Sequence, residues 1–415
     1  MGALAINQQP RQFQPAYNDL IFVLTSPNNT QDNYKYLIDI TVGSDVIRLK
    51  CFPDPVYGSG VFNIGRILET YVTSDLDVTM YDFQQNTNSF KKYSVAAGEE
   101  YGPSSGITEY TAIAISGDLY VWNGWVNYLK FQNYNQSNYI SDGQKELSFR
   151  SNTFKRKLQF EQDSWIYFNQ DSLTSYIRAH ITVYNSVGAN IRECTIENTF
   201  SSGVTDADHF IRFASGTRQL NQCDPILRTD IVGSGGTIID TNSAIRYEIY
   251  FDGDTNSEVY YYEIVDADCR YTTYQLHWLN KLGAFESFNF TKKSAFENSI
   301  SRSNYKRATG ALSDTDSFGY NVSDRGTRTF FTSMKDQLKL KSDWLTDEEM
   351  IYLRDLVESP EIYIAIYVDD DGTTYEKIPV ICTDSKFTKK TQLNDKCFAL
   401  ELNLEFSFER YSQRD

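Results

Sequence analysis

The sequence predicts a mostly β protein, a multidomain chain of β-sandwich or barrel architecture with a few short helices. Residues 398–408 alternate without a slip, Phe398, Leu400, Leu402, Leu404, Phe406 and Phe408 against Ala399, Glu401, Asn403, Glu405 and Ser407, as a strand with one buried face requires. The chain carries 30 Tyr and 26 Phe but only 4 Met, and aromatic and β-branched residues fit a pleated surface. Turn-rich spacers separate many short alternating runs, the pattern of sandwiches and barrels.

At 415 residues the chain exceeds one ordinary core, and length suggests about two to three domains. The composition shifts divide it into an extended arm (1–19), a β-rich domain with one amphipathic helix (20–150), a central sandwich-like domain (151–300), a linker or loop (301–326) and a C-terminal β domain with one capped helix (327–415). The arm is Gln- and Pro-rich (Gln8, Gln9, Pro10, Gln12, Gln14, Pro15) and predicts a segment off the core. Strands follow at Leu20–Leu24 and at Tyr36, Ile38, Ile40 and Val42. Gly43-Ser44 sits where a hairpin turn belongs before Val46–Cys51.

Beyond Pro53 and Pro55, Ile64, Ile67, Leu68 and Tyr71 fall at helical spacing, with Asn63 as N-cap and Phe62 as a staple onto Ile67. Strands are expected at Asp77–Phe83, Tyr110–Trp125, Leu158–Tyr167, Tyr176–Tyr184, Arg246–Phe251 and Val259–Val265. Residues 302–326 are poor in aliphatics and rich in Ser, Asp, Gly and Asn, which predicts a surface loop.

Thr346-Asp347-Glu348-Glu349 is a capping box, flanked by Leu345 and Met350 at the staple positions, and its acids sit at the positive end of the helix dipole. Met350, Leu353 and Val357 make one apolar face, and Ser359-Pro360 stops the helix. Ile362–Val368 and Tyr375–Thr383 form a hairpin over Asp369-Asp370-Asp371-Gly372. The last strand, Cys397–Arg410, would reach on the order of 45 Å.

Net charge is −16 with dispersed Lys and Arg, so sequence-specific nucleic-acid binding is not expected, because phosphates are bound through clustered cations. No apolar run approaches a membrane span of about 18 residues, so no membrane insertion is expected. The first nine residues lack the charged start and apolar core of a signal peptide, and Ile6 stands where a myristoylation site needs Ser or Thr. The six cysteines (Cys51, Cys194, Cys223, Cys269, Cys382, Cys397) have no zinc spacing and should be reduced. A Cys382–Cys397 disulfide is left open.

The order Trp344-Leu345-Thr346-Asp347-Glu348-Glu349, then Leu353, Leu356 and Ser359-Pro360-Glu361-Ile362-Tyr363, continues through Pro379-Val380-Ile381-Cys382-Thr383-Asp384-Ser385, Lys389-Lys390-Thr391 and Asn394-Asp395-Lys396. With Cys51-Phe52-Pro53-Asp54-Pro55 and His277-Trp278-Leu279-Asn280-Lys281-Leu282-Gly283, Phe285 and Phe288 included, it resembles virion proteins of tailed phages infecting Bacteroidota. The resemblance implies a tail or neck structural protein, a ring-forming subunit related in role to distal-tail or baseplate proteins. It implies no catalytic or ligand residue, because the shared motifs are turn and packing signatures.

Candidate chemistry is sparse. Asp252, Asp254, Asn256 and Glu263 match positions 1, 3, 5 and 12 of a calcium loop, but Ser257 replaces the Gly of its sharp turn. A plain acidic hairpin tip accounts for them better. Gly102-Pro103-Ser104-Ser105-Gly106 has the letters of a nucleophile elbow without the buried strand and helix that motif needs. Gly233-Ser234-Gly235-Gly236 lacks the Lys of a phosphate loop. His180, His209 and His277 have no evident nucleophile partner, and Trp122, Trp125, Trp165, Trp278 and Trp344 fit cores and interfaces better than sugar platforms.

These readings lead to a non-enzymatic virion component without cofactor, assembled in the host bacterial cytoplasm. It is expected to associate with itself into a ring and with other tail or neck proteins, with Glu401, Glu405 and Glu409 facing a lumen or a partner. The alternatives are a receptor- or glycan-binding virion protein gripping sugars through the Tyr and Trp of its central domain, and a virion-associated polysaccharide depolymerase.

Overall fold

The computed structural model describes residues 4–74, 76, 82–140, 145–148, 150, 154–170, 177–198, 210–233, 235–252, 256–266, 270–307, 310–312, 317–320, 326–367, 375–384, 399–408 and 410–411. The chain is mostly β, with several separate sheets and a few short helices. It forms two compact units, one of residues 1–266 and 279–287, the other of residues 267–278 and 288–415.

The first unit contains two sandwiches. In the first, Ala5–Gln8, Ile21–Thr25 and Gly60–Asn63 form a three-stranded sheet. It faces a sheet ordered Phe13–Pro15, Leu119–Trp122, Phe90–Tyr101, Lys35–Val42, Asp45–Cys51, with Thr108–Ile115 also paired to Phe90–Tyr101. Phe22 and Leu24 from the smaller sheet share a core with Ile38, Ile40, Val95 and Val121 from the larger.

Residues 4–19, within the segment expected as an arm, are instead woven into both sheets. Ala5–Gln8 pairs antiparallel with Ile21–Thr25, and Phe13–Pro15 pairs parallel with Leu119–Trp122. Leu4, Phe13 and Ala16 are buried, and the Phe13 ring stacks on Tyr120 at 4.8 Å. The apolar residues that anchor the segment are widely spaced among Gln and Pro, and one partner strand lies a hundred residues away, so no local periodicity marks it.

The helix expected near residue 64 is one turn, Gly65–Leu68, followed by a 3-10 turn, Glu69–Tyr71. Its N-cap is Ile64 rather than Asn63. The Asn63 Oδ1 still accepts from the Gly65 amide at 3.2 Å and from the Leu20 amide at 3.1 Å, tying the helix start to the neighbouring strand.

The second sandwich packs a sheet ordered Lys155–Leu158, Tyr260–Ile264, Arg246–Asp252, Arg178–Tyr184, Asn190–Glu197, Arg228–Val232 against Trp165–Asn169, Phe210–Ala214 and Phe83–Gln85. Phe251 from one sheet meets Phe83, Phe168 and Phe213 from the other, with ring centroids 5.1–5.9 Å apart. The run Leu158–Tyr167, expected as one strand, is split between the two sheets. Glu161 takes φ +60° and the Gln162 side chain accepts from the Gln159 amide at 2.8 Å, turning the chain between them.

The second unit is built on an antiparallel sheet that runs Tyr274–Leu279, Ile362–Tyr367, Tyr375–Cys382, Glu401–Phe406, Thr327–Lys341, Ala295–Lys306, with Arg410–Tyr411 beside Thr327–Lys341. The helix Asp347–Glu358 starts as the capping box requires: the Thr346 amide donates to Glu349 Oε2 at 2.8 Å and the Glu349 amide to Thr346 Oγ1 at 3.2 Å. Met350, Leu353 and Leu356 are buried, and Tyr352 meets the buried Trp278 at 5.0 Å.

The last strand is shorter than its alternation suggested. It ends at Phe406, the Ser407 amide adds one more bond to the Pro379 carbonyl of Tyr375–Cys382, and pairing with Thr327–Lys341 stops at Glu405 and resumes only at Arg410 with the register displaced by two residues. Leu402 and Leu404 are buried while Phe408 is exposed, so the apolar alternation outruns the core that would use it. Cys382 carries a free thiol, as do Cys51, Cys194 and Cys223, so it forms no disulfide with Cys397, which lies outside the described residues with Cys269.

Candidate functional site

The most unusual surface belongs to the long hairpin of Ala295–Lys306 and Thr327–Lys341, paired from Ala295↔Lys339 to Lys306↔Thr327. Twelve residues of strand span about 40 Å. Every residue of Ala295–Lys306 beyond the first is exposed. Residues 302–306, expected within a loop, are therefore strand. They are held by the cross-strand ladder and lack a core face, which is why aliphatic alternation is missing from them. Beyond them Ala311–Leu312 pairs with Phe318–Gly319.

The two faces of this hairpin differ. Leu338 and Leu340 lie on the same face as Leu402 and Leu404 and are buried with them. The same face continues outward through Phe296, opposite Leu338, and Ile300, opposite Met334, and both Phe296 and Ile300 are exposed. A core-like stripe thus runs from a covered root to an uncovered arm.

The other face is a charge ladder. Lys335 bonds Glu405 at 2.6 Å, Lys339 bonds Glu297 at 2.9 Å and Lys341 bonds Glu401 at 2.7 Å. The hydrogen bond from Lys335 holds the Glu405 carboxyl below its ordinary range. Of the three acids picked out in the sequence, Glu401 and Glu405 therefore have their charge compensated by lysines, and Glu409 lies outside the described residues. A similar ladder covers the first sandwich, where Lys50 bridges Glu100 and Glu109, and Arg48 bridges Asp39 and Glu109.

The calcium-loop residues do not converge. Glu263 stands opposite Arg246 in the Arg246–Asp252 and Tyr260–Ile264 pair, six residues of strand from Asp252, or about 20 Å. Asp252 instead lies 3.4 Å from His180 Nε2, whose ring stacks on Tyr250. Asn256 is exposed, and Asp254 lies outside the described residues. Among the described residues no group of three or more His, Cys, Asp or Glu is placed to hold a metal ion.

Gly102–Gly106 is a turn closed by the Gly106 amide on the Pro103 carbonyl, with Ser104 exposed. Gly233, Gly235 and Gly236 all take positive φ, and the turn is pinned by Arg192 on the Gly235 carbonyl at 2.7 Å. Trp122, Trp165 and Trp278 are buried, Trp344 is exposed, His277 is buried, and His209 lies outside the described residues. No helix among the described residues is long and apolar enough to cross a membrane.

One constellation was not visible in the sequence. Arg150 pairs with Glu286 and Arg156 with Glu146, all four side chains being buried. Asn280 donates to the Leu147 carbonyl at 2.8 Å and to Glu286 at 3.1 Å, and Arg156 donates to Tyr262 Oη at 3.1 Å. Burial pushes the Glu146 carboxyl up to about 8, the Arg156 charge opposes that, and Glu286 adds to it. The space enclosed here is about 20 Å³, too small for a substrate. The cluster fastens residues 279–287 into the first unit. Its members are scattered from 146 to 286 with no motif spacing, so only the fold assembles them.

No family model matches the chain, and no curated protein matches it.

Proposed function

We propose that this chain is a structural subunit of a tailed-phage virion that associates with itself into a ring of the tail or neck. The virion part rests on the sequence resemblance around residues 344–363 and 379–396. The assembly part rests on one observation, the stripe carrying Phe296 and Ile300 outward from the covered Leu338, Leu340, Leu402 and Leu404. Exposed apolar surface continuous with a core is the mark of an association face, and an exposed strand with open backbone groups templates pairing with another chain. A ring closes such contacts on themselves.

The balanced ladder on the opposite face supports the same reading. Matched charges neither hold nor strongly repel a polyanion, and they set register against a like surface. Such a subunit would be assembled in the host bacterial cytoplasm, carried in the virion and joined to other tail or neck proteins, with no chemistry of its own.

The test is the mass of the purified protein in solution, with particle images of the same sample. A closed ring that falls apart in the double variant Phe296→Lys, Ile300→Lys is the expected result. Both side chains are exposed, so circular dichroism should stay unchanged. A wild-type protein that remains at 47.8 kDa, or a ring indifferent to both changes, overturns the proposal.

A further inference from the structure

A trough on the first unit lies between the N-terminal strands and the segment 131–137. It consists of two clefts of about 650 and 640 Å³ that share Arg11 and Tyr134, each the size of a small-molecule site. We propose that it binds a neutral oligosaccharide chain.

The lining carries the argument. Gln8, Gln14 and Gln132 line the first cleft and Gln136 the second. A carboxamide offers two donors and an acceptor on one planar group, which matches the donor-and-acceptor character of sugar hydroxyls. Gln14 is 7% exposed, and its Oε1 is buried with no hydrogen-bond partner among the described residues. A buried acceptor left unmade costs about 1–3 kcal/mol. A ligand hydroxyl entering the cleft supplies the missing donor.

Phe131 and Tyr134 line the first cleft beside these carboxamides, their rings 5.5 Å apart. Tyr134 is held rigidly: its hydroxyl donates to the Phe13 carbonyl at 2.7 Å and its ring stacks on Tyr139 at 5.5 Å. A fixed aromatic ring together with carboxamides in one cleft suits the apolar face and hydroxyl edge of a pyranose. Charge argues for a neutral ligand. The linings of the two clefts name one cation, Arg11, and one anion, Asp19, which accepts from Asn63 Nδ2 at 2.6 Å, so the trough has no cluster of cations for a phosphate or uronate.

A peptide strand fits less well, because the nearby edge strand Ala5–Gln8 carries an irregularity between Ile6 and Gln8 that interrupts regular edge pairing. Two adjoining clefts that share Arg11 and Tyr134 offer room for linked rings. The site is independent of the hairpin and would work in a monomer or in a ring.

The experiment titrates the full chain with maltohexaose, cellohexaose, mannohexaose and xylohexaose, read by saturation-transfer NMR and calorimetry, beside a Gln/Ser-rich decapeptide. The expected result is binding of at least one hexaose that weakens about tenfold or more in Gln14→Leu and in Phe131→Ala. Gln14→Leu removes an unpartnered polar atom at similar volume, so its melting temperature should not fall. Failure of all four hexaoses to bind the wild type at about 10 mM overturns the proposal. So does binding that both variants leave intact, or binding of the decapeptide alone.

Discussion

Gly283→Ala should be among the most damaging single-methyl additions to the first unit, and its cost can be worked from the turn it occupies. Gly283 takes φ +85°, and a Cβ built there would lie 1.9 Å from the Asn123 carbonyl oxygen, about 1.5 Å inside ordinary contact. The left-handed backbone alone costs an L-residue about 1–2 kcal/mol. Relieving the clash must also move the turn in which Asn280 Oδ1 accepts from the Leu282 and Ala284 amides at 2.8 and 3.1 Å, or the Trp125 amide bonded to Lys281 at 2.6 Å. Losing one or two of these buried bonds adds about 1–3 kcal/mol each, for a total of about 2–8 kcal/mol.

Gly188→Ala is the matched control, because Gly188 takes φ +79° with nothing within 4 Å of its Cβ. It should cost only the backbone part, about 1–2 kcal/mol. Hydrogen exchange measured against urea, followed in peptides covering 119–125 and 178–197, reads the first unit without assuming that both units unfold together. Equal losses in the two variants, within about 0.5 kcal/mol, would refute the steric reasoning.

Three further outcomes are expected. Glu146, raised from 4.5 to about 8 by burial, keeps its proton in the folded chain where the unfolded chain has released it. Stability should therefore decline as pH rises from 4.5 toward about 8; Glu146→Gln should flatten that slope in urea titrations, and an unchanged slope counts against the assignment. Thr346→Ala removes the side-chain half of the capping box and should lower the stability of the second unit by about 1 kcal/mol, seen as a lower urea midpoint for peptides covering 347–358. Glu405 is held low by Lys335, so its contribution is present above the unfolded value of 4.5 and lost as pH falls through the depressed one. At pH 7 a Lys335→Glu, Glu405→Lys swap should recover part of what either single change loses; no recovery would mean the pair carries no coupling.

What was legible in the sequence was what repeats locally. The Thr346–Glu349 box and the Gly43-Ser44 turn each depend on a few consecutive residues and form as read, and the strands expected at Tyr176–Tyr184 and Arg246–Phe251 are found at Arg178–Tyr184 and Arg246–Asp252. Features made by distant partners were not legible. Phe13–Pro15 is a strand because Leu119–Trp122 accepts it, and Ala295–Lys306 is a strand because Thr327–Lys341 pairs along its length without a core beneath it. The proposed trough needs Gln14 and Tyr134 in one place, and the buried cluster needs Glu146 beside Glu286. Alternation can also mislead: Phe408 keeps the rhythm beyond the strand's end at Phe406 and is exposed.

The strand Phe83–Gln85 imposes an order of events on synthesis. Its partner is Phe210–Ala214, so it leaves the ribosome well before the strand it needs. At 5–20 residues per second the wait is on the order of ten seconds, during which Phe83 has no sheet to join. Residues 279–287 come later still and complete the Arg150–Glu286 pair. The first sandwich can gather most of its strands early, but the second must remain open until the chain has passed residue 264, the end of the last strand of its larger sheet, a long-range closure of the kind that slows folding and exposes apolar edges. Nascent chains halted before that point should therefore be the form most dependent on chaperones.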